Sequence, residues 1–119
     1  MKRHNFKKLQ IWNDSMEIID QTYLFTCTFP DFEKFGLRTQ MNRCAVSIAS
    51  NISEGSSKRT DTHFAKYLDN SLGSAFEWET QLIVAYRQNY ISEEIFKKME
   101  KDINTLQKKI SKFIDSLDI

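Results

Sequence analysis

Two histidines, His4 and His63, and two cysteines, Cys27 and Cys44, are the side chains best suited to metal or nucleophilic chemistry. A structural zinc site needs four such ligands at recognisable spacing, and Cys27, Cys44 and His63 lack it. No Gly-rich phosphate loop and no Glu-x-x-His pair of the di-iron bundle type is present. Glu77 and Glu79 lie two residues apart, so on a helix they point in different directions and cannot share an acid–base step. No catalytic residue, metal ligand or cofactor is therefore assigned, and the chain is expected to act without catalysis. Glu79 falls inside an apolar arc, where a carboxylate is costly unless paired. It is expected to form a structural ion pair, with Arg38 or Arg43, or to lie as a carboxylate at the bundle edge. A functional acid is the alternative reading.

The remaining chemistry is that of charge. Lys97, Lys101, Lys108 and Lys112 fall in one narrow stripe of the last amphipathic segment, widened by Lys98 and Lys109. Such a stripe is either a solubilising face or a patch that contacts phosphates. Without interleaved aromatic residues it would hold a backbone and read few bases. Arg43, Lys58 and Arg59 are secondary candidates for the same role, although sequence alone cannot join them to the stripe. Lys2, Arg3, Lys7 and Lys8 form a second basic cluster, with His4 in an end expected to fray.

A different pattern marks the second segment. Arg43, Ser47, Ser50 and Glu54 recur at spacings of 4, 3 and 4 opposite its apolar stripe, with Val46, Ala49 and Ser53 beside them. Small residues let another helix approach closely. Together with Phe76 and Ile83 outside the apolar arc of the third segment, they suggest a subunit interface. Val46, Ser47, Ser50, Ser53 and Phe76 are its candidate residues. The bland alternative is an exposed, serine-rich face.

Four amphipathic segments must position these groups. The first carries Leu9, Trp12, Met16, Ile19 and Tyr23, with Ile11, Ile18 and Phe25 as a second row, and ends by Phe29-Pro30. The second carries Leu37, Met41, Ala45, Ile48 and Ile52. Gly36 closes the connector before it, and Gly55 is expected to end it in the left-handed conformation. Thr60 is a fair N-cap for the third segment, which carries Phe64, Leu68, Ser71, Ala75, Trp78, Leu82 and Ala85. Asn89 and Tyr90 end it. Ser92 caps the fourth, which carries Phe96, Met99, Ile103, Leu106, Ile110, Phe113 and Leu117. No segment alternates with period 2. Short connectors make neighbours antiparallel, so the expectation is an all-α, up-down four-helix bundle forming a single domain over residues 1–119.

Composition sets the outer bounds. At 119 residues, 40% hydrophobic and 28% charged, the chain has the composition of one globular domain. No apolar run approaches a bilayer span, and none follows the basic start, so neither membrane insertion nor a signal peptide is expected. A cytoplasmic location follows, with both thiols expected to be buried and reduced. The formal net charge of +1 argues against strong non-specific nucleic-acid binding.

One long run has the character of a signature: Phe29-Pro30-x-x-Glu33-x-Phe35-Gly36-Leu37-x-x-Gln40-x-x-Arg43-x-Ala45-Val46-Ser47-Ile48-x-Ser50-Asn51-Ile52-x-Glu54-Gly55. Phe6-Lys7-x-Leu9-x-Ile11-Trp12, Arg59-Thr60, Gly73-Ser74, Glu77-x-Glu79-Thr80-Gln81-Leu82 and Tyr90-Ile91 extend it over nearly the whole chain. This pattern resembles that of bacterial four-helix-bundle proteins encoded within intervening sequences of 23S ribosomal RNA genes. It is also similar to the accessory variability determinant of diversity-generating retroelements, a basic pentamer that binds a reverse transcriptase and nucleic acid. The resemblance implies assembly into a ring, a homopentamer. It allows Gly73 and Ser74 as close-packing sites. His63 stands where that family commonly has Glu, which removes a capping-box partner for Thr60, and Trp78 stands where it usually has Leu.

The expectation is thus a non-enzymatic homo-oligomeric bundle that binds structured RNA or a nucleic-acid-processing partner through a lysine-bearing surface. The alternative is a protein–protein scaffold without nucleic-acid affinity. The implied partners are further copies of the chain, ribosomal or other structured RNA, and a reverse transcriptase or another protein.

Overall fold

The computed structural model describes residues 3–119. Its helices are α1 (Gln10–Thr26), α2 (Leu37–Ser56), α3 (Asp61–Arg87) and α4 (Glu93–Asp115), with short 3-10 turns at Phe6–Lys8 and Asp31–Glu33. They pack into a four-helix bundle of 48 × 24 × 20 Å. Partner numbers fall along one helix as they rise along its neighbour. Cys44 meets Ser74 and Ile48 meets Ser71, so α2 and α3 are antiparallel. Tyr86 stacks on Phe96 while Phe64 meets Phe113, so α3 and α4 are antiparallel too.

The α3 stripe is buried as its spacing requires: Phe64, Leu68, Ser71, Ala75, Trp78, Leu82 and Ala85. Each fully buried large aliphatic chain contributes about 1.5–3 kcal/mol. In α1 the two rows exchange roles. Ile11, Ser15, Ile18, Thr22 and Phe25 are the buried row, whereas Tyr23 is 51% exposed. The hydroxyls explain the exchange. Ser15 and Thr22 donate to the carbonyls of Ile11 and Ile18 one turn back, so they enter the core with their polarity already satisfied. The Trp78 indole N–H then donates to Thr22 Oγ1 at 3.1 Å, bridging the α1–α3 diagonal.

The helix ends follow local chemistry. Thr60 accepts the His63 N–H and Ser92 accepts the Ile95 N–H, as N-caps do. At the end of α3, Asn89 adopts φ 64°. The Tyr90 and Asn89 amides donate to the carbonyls of Ala85 and Tyr86, the paired bonds of a Schellman stop. Before α2, the Glu33 carboxylate accepts the Leu37 N–H at 3.0 Å and the Tyr90 hydroxyl at 2.9 Å. The Phe-Pro-x-x-Glu-x-Phe-Gly-Leu block is thus a helix cap tied to the α3–α4 turn.

Both internal glycine expectations change. Gly55 is not a left-handed stop: α2 runs through it to Ser56, and no described glycine has positive φ. It is buried where α2 and α3 cross, and a Cβ there would lie 2.6 Å from Tyr67 Cβ and 2.8 Å from the Phe64 ring. Gly73 is no packing site, since a Cβ there would meet nothing within 4 Å.

Gly55→Ala is expected to destabilise the bundle by about 1–3 kcal/mol despite the better helix propensity of alanine, because Tyr67 Cβ is fixed to backbone. Denaturant melts check this. An unchanged or raised midpoint would show that the helices can separate at no cost.

Candidate nucleic-acid and assembly surfaces

The face of α4 turned from the core carries the lysine stripe, but carboxylates already engage part of it. Lys97 pairs with Glu93 at 2.7 Å, Lys98 with Asp102 at 3.0 Å and Lys109 with Asp14 at 2.9 Å. The bond between them lowers the Glu93 pKa and raises that of Lys97. Among the described residues, Lys101, Lys108 and Lys112 are exposed with no carboxylate within 4.0 Å. A groove of about 450 Å³ runs beside them, and Glu79 and Glu100 line it together with Lys97, Lys101 and Lys108. This face is therefore mixed in charge.

Among the described residues, Glu79 has no arginine partner. Its carboxylate accepts the Gln107 amide at 2.9 Å and the Asn104 amide at 3.4 Å, both from α4. The α3–α4 seam satisfies it with neutral donors, because Arg38 and Arg43 lie on α2, which makes no contact with α4.

At one end of the bundle the structure joins groups that the sequence leaves apart. Asp61 accepts the Asp118 amide at 3.2 Å and meets His4 Nε2 at 3.2 Å. Arg3 Nε donates to the Ser57 carbonyl at 2.7 Å. The N-terminal arm, the α2–α3 turn with Lys58 and Arg59, and the C-terminal turn of α4 with Lys112 thus share this end. His4 is not frayed: its ring lies 4.8 Å from Phe64 and 6.1 Å from Phe113. Lys58 is half-buried, its ammonium 4.9 Å from the Tyr67 ring centroid, while Arg59 is exposed. Lys2 lies outside the described residues. Arg43 is not brought to this surface, since α2 and α4 are diagonal.

The candidate assembly face spans α2 and α3. Val46 is 39% and Phe76 54% exposed, and Ser50 is open. Two of the serines are engaged within the chain: Ser47 Oγ meets Ser74 Oγ at 2.9 Å, and Ser53 Oγ donates to the Ser50 carbonyl. Ile83 and Val84 add apolar surface on α3. Phe32 and Phe35, 73% and 87% exposed, add apolar surface in the α1–α2 connector that no sequence pattern marks.

The thiols differ. Cys27 is exposed, contrary to expectation, because α1 stops at Thr26 and leaves it in the following turn. Cys44 is buried, donates to the Ser74 carbonyl at 3.1 Å and lies 3.5 Å from Glu77 Oε1. Burial first, then the Glu77 charge and bond, push its pKa up to about 12. Thiolate is the reactive form, so alkylation of the native protein near pH 8 is expected to modify Cys27 promptly and Cys44 only on unfolding. Two equally fast modifications by mass spectrometry would contradict this environment.

The family model described as 23S rRNA-intervening sequence protein matches residues 7–112. A solved structure, of a protein of unknown function from the S23 ribosomal protein family of Bacteroides thetaiotaomicron, superposes with a TM-score of 0.79 at 24% identity. The match covers 89% of this chain and 99% of that one, and at this identity it speaks for the fold alone. No curated protein matches the chain. No described helix is long and apolar enough to cross a membrane. With a match over nearly all of its helical length, the chain belongs to the family of 23S rRNA-intervening sequence proteins.

Proposed function

We propose that this chain is a non-enzymatic, cytoplasmic, self-assembling bundle that holds the phosphate backbone of structured RNA. The contact runs along Lys101, Lys108 and Lys112 and continues at the bundle end through Lys58, Arg59 and Arg3. The observation that carries this reading is that Lys101, Lys108 and Lys112 have no carboxylate partner among the described residues, so binding phosphate would break no ion pair. Lys97 contributes less, since Glu93 already neutralises it. Family membership supports an RNA-linked role in a general way. Assembly into a ring, a homopentamer by family resemblance, would repeat a weak patch around an axis and add affinity by avidity.

A specific observation favours a second reading. Glu79 and Glu100 sit within the lysine groove, and like charges oppose phosphate approach. In this reading the bundle is a scaffold for another protein, which could itself process nucleic acid.

The test is binding to structured RNA titrated against salt. Lys108→Gln with Lys112→Gln is expected to weaken binding and to lower the slope of log K against log salt by roughly 1.4–1.8, from 0.7–0.9 per phosphate contact. Lys97→Gln should change the slope little. No binding at low salt would leave the scaffold reading in its place.

Assembly has its own test. Ser50→Arg on the open face of α2 is expected to dissociate the oligomer with helical content unchanged, by light scattering and circular dichroism. An intact oligomer would move the interface to another face.

A further inference from the structure

The exposed lysine stripe of α4 holds no aromatic residue of its own, but α3 brings one beside it. Glu79 lies on the side of α3 that faces α4, since its carboxylate accepts the Gln107 and Asn104 amides. Phe76 stands three residues before it and Ile83 four after it, so both share that side of the helix. The Ala75 carbonyl accepts the Gln107 amide at 3.4 Å, which sets Phe76 level with the stretch of α4 from Asn104 to Lys108. Exposed Lys101 and Lys108 lie one turn to either side of Asn104. The axes of packed helices lie about 8–10 Å apart, a span that one nucleotide and a long lysine side chain cover together.

Phe76 is free to take a ligand. It is 54% exposed, and among the described residues its ring pairs with no other aromatic ring. Gly73, one turn before it, leaves the neighbouring helix surface bare, because a Cβ there would meet nothing within 4 Å. Glycine weakens a helix interior, and no close contact within the chain uses the space it leaves. An aromatic face with open ground beside it suits the stacking of an unpaired base. The carboxylates of the groove fit such a ligand better than they fit a duplex. Among the described residues Glu100 has no cation within 4.0 Å, and Glu79 is held by amides. Phosphates laid along the groove would oppose both charges. A base turned into the groove brings N–H donors to them instead and keeps its phosphates outside, on the lysines. A duplex keeps its bases stacked and paired and cannot do this.

We propose that the α3–α4 face takes an unpaired segment of RNA, with one base stacked on Phe76 and the neighbouring phosphates held by Lys101 and Lys108. The proposal rests on the phosphate-binding reading above and narrows its ligand to the loops, bulges or ends of a structured RNA. Glu100 accepts from the base edge. Phe76 is then a nucleic-acid contact rather than an assembly residue.

The experiment titrates two labelled probes by fluorescence anisotropy: an RNA strand without stable pairing, and the same strand annealed to its complement. The wild type is expected to bind the single strand more tightly. Phe76→Leu keeps apolar bulk and a good helix former but removes the ring. It is expected to weaken single-strand binding about five- to hundredfold, with duplex binding and helical content by circular dichroism unchanged. The slope of log K against log salt should also stay the same, since no charge is lost. Phe76→Tyr keeps a ring and should bind like the wild type. Lys101→Gln with Lys108→Gln should instead lower the slope for both probes. A Phe76→Leu variant that binds the single strand like the wild type, or loses both probes equally, would overturn the stacking contact and leave the lysine reading in place. A wild type that binds neither probe at low salt would remove the phosphate reading, and this contact with it. A Phe76→Leu variant of lower mass by light scattering would return Phe76 to the assembly interface and overturn the assignment.

Discussion

The close approach of α2 and α3 is the constraint on which the rest of the bundle depends. Small residues are among those both helices bury, Ala45, Ala49 and Gly55 on α2 and Ser71 and Ala75 on α3. The Ser71 hydroxyl donates to the Ile48 carbonyl at 2.7 Å, a bond from side chain to neighbouring backbone that only closely packed helices can make. Gly55 leaves no room for a Cβ against Tyr67. This seam is the most extensive in the structure, and the α1–α4 seam is the least extensive among the helix pairs in contact. The bundle is thus a tight pair with α1 and α4 laid against it, and Trp78 ties α1 to that pair across the core.

That geometry separates the surfaces. Because α2 and α4 are diagonal, a contact through the outer side of α2 and α3 leaves the lysine stripe of α4 free. Self-assembly and phosphate binding therefore need not compete. The same arrangement limits the electrostatics. Half-buried Glu79 is held by amides rather than cations, so its charge remains beside Lys101 and Lys108. Exposed Arg59 and Lys112 lie toward the end where the N-terminal arm, the α2–α3 turn and the α4 terminus meet.

Much of the fold was legible because its signals are local and periodic. The α3 and α4 stripes, the Thr60 and Ser92 caps and the Asn89 stop depend on residues within a turn or two of each other. The buried row of α1 is less legible, because Ser15 and Thr22 count as polar in a sequence but satisfy themselves against the preceding turn. The role of Gly55 is not legible locally, because a glycine near a helix end has two physical uses. Only the neighbouring helix shows which applies, here Tyr67 at 2.6 Å from a would-be Cβ. The site was less legible than the fold. The sequence shows a row of lysines but not their partners, and Lys109 finds Asp14 from the far end of the chain.

By itself, then, the sequence determined the four helices, the caps at Thr60 and Ser92, the stop at Asn89 and the faces that α2, α3 and α4 bury, because the 3.6-residue period and the capping chemistry act within a few residues. It also determined the family, through motif spacing. The tertiary structure decided which charges are spent and which remain available. It brought Arg43, Glu77 and Gln81 to one groove, set Arg43 across the bundle from the lysines and turned Glu79 toward amides. These outcomes depend on which helices are neighbours and how closely they approach, and no local pattern carries that information.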